Sequence, residues 1–353
     1  MLAEILSAHW PAYRAKFGRL IPAEQHAAVR AILRCRTPAL GGQRYRCACG
    51  REHDAYHSCN HRACPRCGQD DAAAWLARQR TRLLPVPYFL VTFTVPAELR
   101  EPIRAAMKPW YGALLKASAG ALQDLAADPK FLGAELGLTA LLQTWTRDLR
   151  YHPHVHLLVP GGGLTPNRLR WVRVPDDQFL VPQVKLAARF KGRLKAWLQE
   201  HEPELFQQVP AKVWWQKWVA DVQAVGGGEA ALKYLANYLC KPPLHETQIG
   251  HWDEQSVTFG YRANSGEAKQ EKVGGQEFVR RFLQHVLPKG FQRVRHYGWL
   301  GAAALAKRER IHALLDWRAP VPQLTPARSS APQCPCCGKA MVLIGTLARA
   351  PTG

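Results

Sequence analysis

The run Tyr151-His152-Pro153-His154-Val155-His156-Leu157-Leu158-Val159 constrains the fold more than any other segment of this chain. Its β-branched and apolar residues make it a buried strand. Successive side chains of a strand point to opposite faces, so His154 and His156 share one face. That face would be wasted on a buried strand unless something bound there, and two neighbouring imidazoles form a seat for a divalent metal.

A second segment supplies the reactive groups. In Ala231-Leu232-Lys233-Tyr234-Leu235-Ala236-Asn237-Tyr238-Leu239-Cys240-Lys241-Pro242-Pro243 the composition predicts a helix that starts after Gly226-Gly227-Gly228 and stops at the double proline. Tyr234 and Tyr238 lie four apart, hence on one face, and Lys241 follows near it. A phenol titrates near ~10 and is a poor nucleophile at neutral pH. A metal at His154 and His156 offsets this by polarising a phosphate and stabilising the leaving oxygen, and Lys241 offsets phosphate charge. Two histidines alone hold a metal weakly, so a third ligand is expected. Gln143, on the preceding strand of a hairpin, is the first candidate; Asp148 and His152 are the alternatives.

The chain has ten cysteines, six of them between Cys35 and Cys67. Their knuckle spacing favours zinc over disulfides. Cys47, Cys49, Cys64 and Cys67 are the expected tetrahedral set, with Cys59 as the main rival; Cys35, His53, His57 and His61 remain to complete a second site close by. Cys334-Pro335-Cys336-Cys337 supplies half a site with no visible second half and reads as a remnant.

Lys and Arg number 48 against 27 Asp and Glu, a net charge of +21, which makes a polyanion the default partner. Arginine-rich runs at Arg78 to Arg82, Arg168 to Arg170 and Arg293 to Arg295 have aromatics nearby, the pairing that follows phosphates and stacks on unpaired bases. No apolar stretch of ~20 residues suggests a membrane span, and the start lacks a secretory pattern. A cytoplasmic protein is expected, with no membrane partner. No phosphate-binding loop of the Gly-X4-Gly-Lys-Ser/Thr type occurs, so any unwinding must come from outside the chain.

The predicted fold class is α+β: a central antiparallel sheet flanked by helices and preceded by a small zinc ribbon. Residues 1–84 are read as a helix (His26 to Arg34), the ribbon and a linking helix (Asp70 to Leu83); 85–243 as the catalytic domain; 244–319 as a basic strand and helix extension; and 320–353 as a disordered tail carrying the half knuckle. Within the catalytic domain, strands are expected at Tyr88 to Val95, Leu138 to Thr146, Tyr151 to Val159 and Val213 to Val225, and a helix at Gln183 to Gln199.

Taken in order, the cysteine-rich start, the strand Phe89 to Pro96, the His-Pro-His-Val-His run, the Tyr-Leu-Ala-Asn-Tyr helix and the tail Phe278 to Phe291 resemble the two-tyrosine transposases of the insertion-sequence 91 family, within the HUH single-strand endonucleases. The resemblance covers nearly the whole chain. It implies a transposase that nicks and rejoins single-stranded DNA at the ends of a mobile element, with Mg²⁺ or Mn²⁺ at the histidines. Tyr234 or Tyr238 would form a 5′-phosphotyrosine, in rolling-circle-like transposition. Structural zinc would serve a ribbon gripping duplex or hairpin DNA, host replication or unwinding factors would be partners, and the location would be nucleoid-associated. Arg280, Arg281, Lys289, Arg293 and Arg295 are the expected DNA contacts in the tail. The family often has histidine where this chain has Gln143. The competing reading is a non-catalytic zinc-ribbon DNA-binding protein or an inactive relic; a metallohydrolase of another kind predicts acidic residues around His154, where the chain is mostly apolar or basic.

Overall fold

The computed structural model describes residues 1–67, 69–240, 243–263, 265–322 and 331–350, with the backbone but not the side chains of 69–72 and 237–240. The chain opens with α1 (Leu2–Phe17), an element not anticipated from the sequence. Its buried residues Leu2, Ile5, Leu6, His9, Trp10 and Tyr13 recur at helical spacing and form one stripe. Pro11 disguises the pattern as a break, yet it lies on the exposed side, where the carbonyl it leaves unbonded meets solvent. Next come α2 (Ala23–Arg34), the antiparallel hairpin of β1 (Gly42–Arg46) and β2 (Glu52–Tyr56), and α3 (Gln69–Arg80).

The central part contains β3 (Tyr88–Thr94), α4 (Arg100–Ala105), α5 (Met107–Ala127), β4 (Gly137–Trp145), β5 (Tyr151–Pro160), the small ribbon of β6 (Gly162–Leu164) and β7 (Trp171–Arg173), α6 (Gln183–His201), α7 (Pro203–Gln207), α8 (Lys212–Trp215), β8 (Ala220–Ala224) and α9 (Glu229–Cys240). The expected single strand from Val213 to Val225 is instead a helical turn followed by a short strand. Trp214 stacks on both Trp218 and Phe206, and the Trp218 indole donates to the Val213 carbonyl at 2.9 Å, which curls an aromatic-rich run that reads as extended.

The chain continues through β9 (Ile249–Trp252), β10 (Ser256–Arg262), β11 (Ala268–Gly274), α10 (Gly275–Leu283), β12 (Val294–Gly298), α11 (Leu305–Leu314) and β13 (Val342–Leu347). Two of these correct the expected layout. β12 leaves the extension and becomes an edge strand of the central sheet, whose order is β12-β4-β5-β3-β8 with every pair antiparallel. β13 pairs with β1 over Gly42↔Leu347 to Arg46↔Val342, so residues 331–350 are an ordered part of the N-terminal unit.

Strand parity sorts the central sheet into two faces. Phe89, Val91 and Phe93 of β3, Leu138, Ala140 and Leu142 of β4, and Val155, Leu157 and Val159 of β5 pack against α5 and α6. Tyr88, Leu141 and Leu158 face the opposite way, against Ala231, Leu232 and Leu235 of α9 and Trp299 and Ile311 beyond. Both faces are covered, which is why β5 reads as nearly continuous apolar sequence. A separate core joins the α1 stripe to Phe278, Val279, Phe282 and Leu283 of α10 and to Val257 and Phe259 of β10. Cys35, Cys64 and Cys67 line that same core.

Candidate functional site

β5 lies in the middle of the sheet, so His154 and His156 are flanked on both sides. His154 is opposite Thr94 of β3 and Gln143 of β4; His156 is opposite Thr92 and Leu141. Even-numbered positions of β5 face α9, and both imidazoles are buried there, 9% and 5% exposed. Their ring centroids are 4.8 Å apart.

Hydrogen bonds orient both rings. His154 Nδ1 lies 2.6 Å from the His152 carbonyl oxygen, which only accepts, so the proton sits on Nδ1 and the lone pair on Nε2. His156 Nδ1 lies 3.0 Å from Thr92 Oγ1 and its Nε2 lies 3.2 Å from Gln143 Oε1. The Gln143 amide donates to the Trp145 carbonyl at 3.1 Å, which turns its oxygen toward the histidines. Burial pushes the His154 imidazole down to about 4, against an opposing contribution from the His152 carbonyl. Burial, then the neighbouring His154, push His156 down to about 3. Both rings are therefore neutral at pH 7, as ligation requires. His154 Nε2 and the Gln143 amide oxygen offer lone pairs on this buried face, and His156 Nε2 offers a third once its ring proton moves to Nδ1, where the Thr92 hydroxyl can accept it; such a set fits a divalent cation.

Tyr234 comes to this face from α9. Its ring centroid is 5.8 Å from that of His156, with the planes at 87°. Leu232 and Leu235 anchor the helix against the sheet, and Arg80 of α3 pairs with Glu229 in its first turn at 2.6 Å. Lys241 and the side chain of Tyr238 lie outside the described residues.

The two alternative ligands have other partners. His152 Nδ1 accepts from Arg100 Nη2 at 3.0 Å, and Asp148 bonds Thr146 and pairs with Arg150 at 2.9 Å. Sequence reasoning missed Thr92, Arg100 and Asp221. Register places Thr92 between His156 and Asp221 on the same face of the sheet. Thr92 and Thr94 were legible: they are the polar alternate positions of an otherwise apolar strand.

The cysteines correct the expected grouping. Cys47 and Cys49 do not meet Cys64 and Cys67. Among the described residues Cys35, Cys59, Cys64 and Cys67 form one cluster, and Cys47, Cys49, Cys334 and Cys337 another; within each, the sulfurs all lie within 4.8 Å. Cys59, the rival ligand, belongs to the first cluster, together with Cys35; His53, His57 and His61 belong to neither. The hairpin β1–β2 carries Cys47 and Cys49 to its far end, away from the loop of Cys59 to Cys67.

The expected DNA contacts also divide. Arg281 is only 14% exposed and pairs with Glu271 and Glu277, both at 2.8 Å; Arg280 pairs with Glu277 at 2.6 Å. Both guanidiniums brace α10, Arg281 from a largely buried position and Arg280 from one that is 43% exposed. Arg293 lies over the Trp145 ring at 5.1 Å and Arg295 over Phe291 at 5.4 Å. Arg295 is opposite Ala140, so it points to the face away from the histidines. Lys289 is exposed.

Residues 5–95 match the family model described as "Transposase zinc-binding domain", and residues 137–308 match the one described as "Putative transposase". The chain is 32% identical to "Putative transposase y4qJ" of Sinorhizobium fredii (strain NBRC 101917 / NGR234), over 97% of this chain and 94% of that one. It is 28% identical to the transposase for insertion sequence element IS801 of Pseudomonas savastanoi pv. phaseolicola, over 77% of this chain and 69% of that one. No solved structure matches it. Among the described residues, no helix is long and apolar enough to cross a membrane.

Proposed function

This chain belongs to the insertion-sequence 91 family of transposases, with a zinc-binding domain at its N-terminus, and from that premise we propose that it nicks and rejoins single-stranded DNA through a covalent phosphotyrosine. The observation that carries the reading is the position of the Tyr234 ring, 5.8 Å from His156 on the face that also presents His154 and Gln143. His154, His156 and Gln143 would hold Mg²⁺ or Mn²⁺. Bound there, such an ion would supply Lewis-acid polarisation of the scissile phosphate and charge stabilisation at the departing 3′-oxygen.

The chain's own groups do the rest. The His152 carbonyl and Thr92 hydroxyl keep the imidazoles aimed, as partners of metal ligands generally do. The Tyr234 phenol gives up its proton to water as its oxygen attacks phosphorus; the P–O3′ bond breaks and the departing 3′-oxygen takes up a proton from water, leaving a 5′-phosphotyrosine and a free 3′-hydroxyl. Reversal, with a 3′-hydroxyl attacking the phosphotyrosine, rejoins DNA without ATP. Tyr238, one turn on, serves as the second nucleophile, so that two strand ends are held or exchanged in rolling-circle-like transposition, with Lys241 offsetting phosphate charge. An unpaired strand is the substrate, because a phosphate must reach a buried sheet face beneath α9.

In the zinc-binding domain we assign the ion to Cys35, Cys59, Cys64 and Cys67. The Cys35–Cys67 and Cys59–Cys67 sulfurs are 3.6 and 3.7 Å apart. A tetrahedral ion with Zn–S bonds of ~2.3 Å requires an edge of about 3.8 Å.

The test is incubation of the protein with labelled single-stranded element ends and Mn²⁺, followed by denaturing electrophoresis. A protein–DNA adduct that EDTA abolishes and that Tyr234→Phe, Tyr238→Phe or both reduce is the expected result. DNA retained only noncovalently across a panel of ends would favour a non-catalytic DNA-binding protein instead.

A further inference from the structure

We propose that Cys47, Cys49, Cys334 and Cys337 form a second zinc site, one that fastens the C-terminal segment of the chain to its N-terminal hairpin. The four sulfurs lie within 4.8 Å of one another, with Cys47–Cys337 at 3.4 Å and Cys49–Cys334 at 3.7 Å. These separations are close to the ~3.8 Å edge of a zinc–thiolate tetrahedron.

Each half of the site is shaped before the halves meet. Cys47 and Cys49 sit on a turn in which the Gly50 amide donates to the Cys47 carbonyl at 2.9 Å, and Cys334 and Cys337 on one in which the Gly338 amide donates to the Cys334 carbonyl at 2.9 Å. Gly50 and Gly338 have φ of 86° and 70°, a left-handed conformation that glycine adopts without penalty. Cys334 and Cys337 have the two-residue gap of a zinc knuckle; Cys336, between them, is exposed and outside the cluster.

The energetics favour such a link. Apart from the strand pairing, the core of the junction among the described residues is Cys47, Cys334 and Met341, with Tyr45 packed against it, while Val342, Leu343 and Ile344 of β13 are 67%, 49% and 43% exposed. So little buried apolar surface adds only weakly to the strand pairing in offsetting the entropy of closing two segments that lie far apart in the sequence. A structural zinc ion contributes its binding free energy directly to folding. The half knuckle at the C-terminus is thus no remnant, since its second half is at Cys47 and Cys49.

The experiment uses the full chain purified under reducing conditions. Elemental analysis should give two zinc ions per chain, falling to one in the Cys334→Ser/Cys337→Ser double variant. In the wild-type protein, alkylation followed by peptide mass spectrometry should modify Cys336 at once, and Cys334 and Cys337 only after chelator is added. Cys336 is the internal control, so this readout does not depend on a variant folding. One zinc per wild-type chain, two in the double variant, equal alkylation of Cys334, Cys336 and Cys337 before chelation, or disulfides among the four cysteines would each overturn the site. None of these results bears on the phosphotyrosine reading, which the DNA adduct tests separately.

Discussion

At the scale of single residues, the sheet face depends on side chains that orient the histidines as well as on the histidines themselves. Thr92 is the sharpest case, because its hydroxyl meets His156 Nδ1 at 3.0 Å. Thr92→Val keeps the shape and removes the hydrogen bond, so Mn²⁺ affinity by calorimetric titration should fall roughly 10–100-fold with thermal stability nearly unchanged. Unaltered affinity would mean that Thr92 merely packs. His285 tests burial in the same way. Its Nδ1 lies 3.2 Å from Thr144 Oγ1 and its Nε2 lies 3.2 Å from the Leu149 carbonyl, and burial pushes it down to about 3 from an ordinary 6.5. The unfolded chain therefore takes up a proton below pH 6.5 that the folded chain refuses until about pH 3. The stability that His285 contributes above pH 6.5 is lost progressively across that window as pH falls. Urea midpoints between pH 7 and pH 5 should decline, and His285→Gln should flatten the decline by up to ~1.4 kcal/mol per pH unit.

At the scale of elements, strands were legible where polarity alternates or where an apolar run is the right length. β3, β4 and β5 stand within a residue or so of expectation, because side-chain parity is a local property. Helix α1 was not legible, since Pro11 interrupts its stripe and the surface that buries it lies on α10, more than 250 residues away. That distant contact yields a test. Ile5 is fully buried in the shared core, so Ile5→Ala should cost ~2–5 kcal/mol of unfolding free energy in urea and loosen α10 along with α1 in hydrogen exchange. A cost below about 1 kcal/mol would mean that α1 is a dispensable addition.

At the scale of the whole molecule, the zinc-binding unit and the sheet are mechanically joined. Arg62, from the Cys59 to Cys67 loop, donates to the carbonyls of Leu287 at 3.0 Å and Phe291 at 2.9 Å, in the segment that leads into β12. Tertiary context also decides which basic residues are engaged in ion pairs within the fold. Arg281 shows the consequence: with two carboxylates around it and little exposure, it is a bracing residue. Arg281→Ala should leave Glu271 without its guanidinium, while Glu277 keeps Arg280, and cost roughly 1–3 kcal/mol of stability. The salt dependence of DNA binding should hardly change, whereas loss of a true phosphate contact would lower the slope by about 1.

The sequence by itself determined what local geometry can encode. Alternation put His154 and His156 on one face, composition made the segment of Tyr234 a helix, and the double proline marked where that helix was expected to stop. Cysteine spacing announced knuckles. Tertiary structure alone decided which partners these parts found. The ligand sets were misjudged because adjacency in sequence limits how far apart two sulfurs can be but does not make them converge. Cys47 lies nearer in sequence to Cys64 than to Cys337, yet the β1–β2 hairpin carries it away from Cys64 and the pairing of β1 with β13 brings Cys337 to it. In the same way Arg293 to His296 reads as a free basic run until backbone hydrogen bonds to β4 make it the edge of the central sheet. Strand pairing between distant segments has no local signature, because its free energy comes from burial and hydrogen bonds that exist only after the chain has closed on itself.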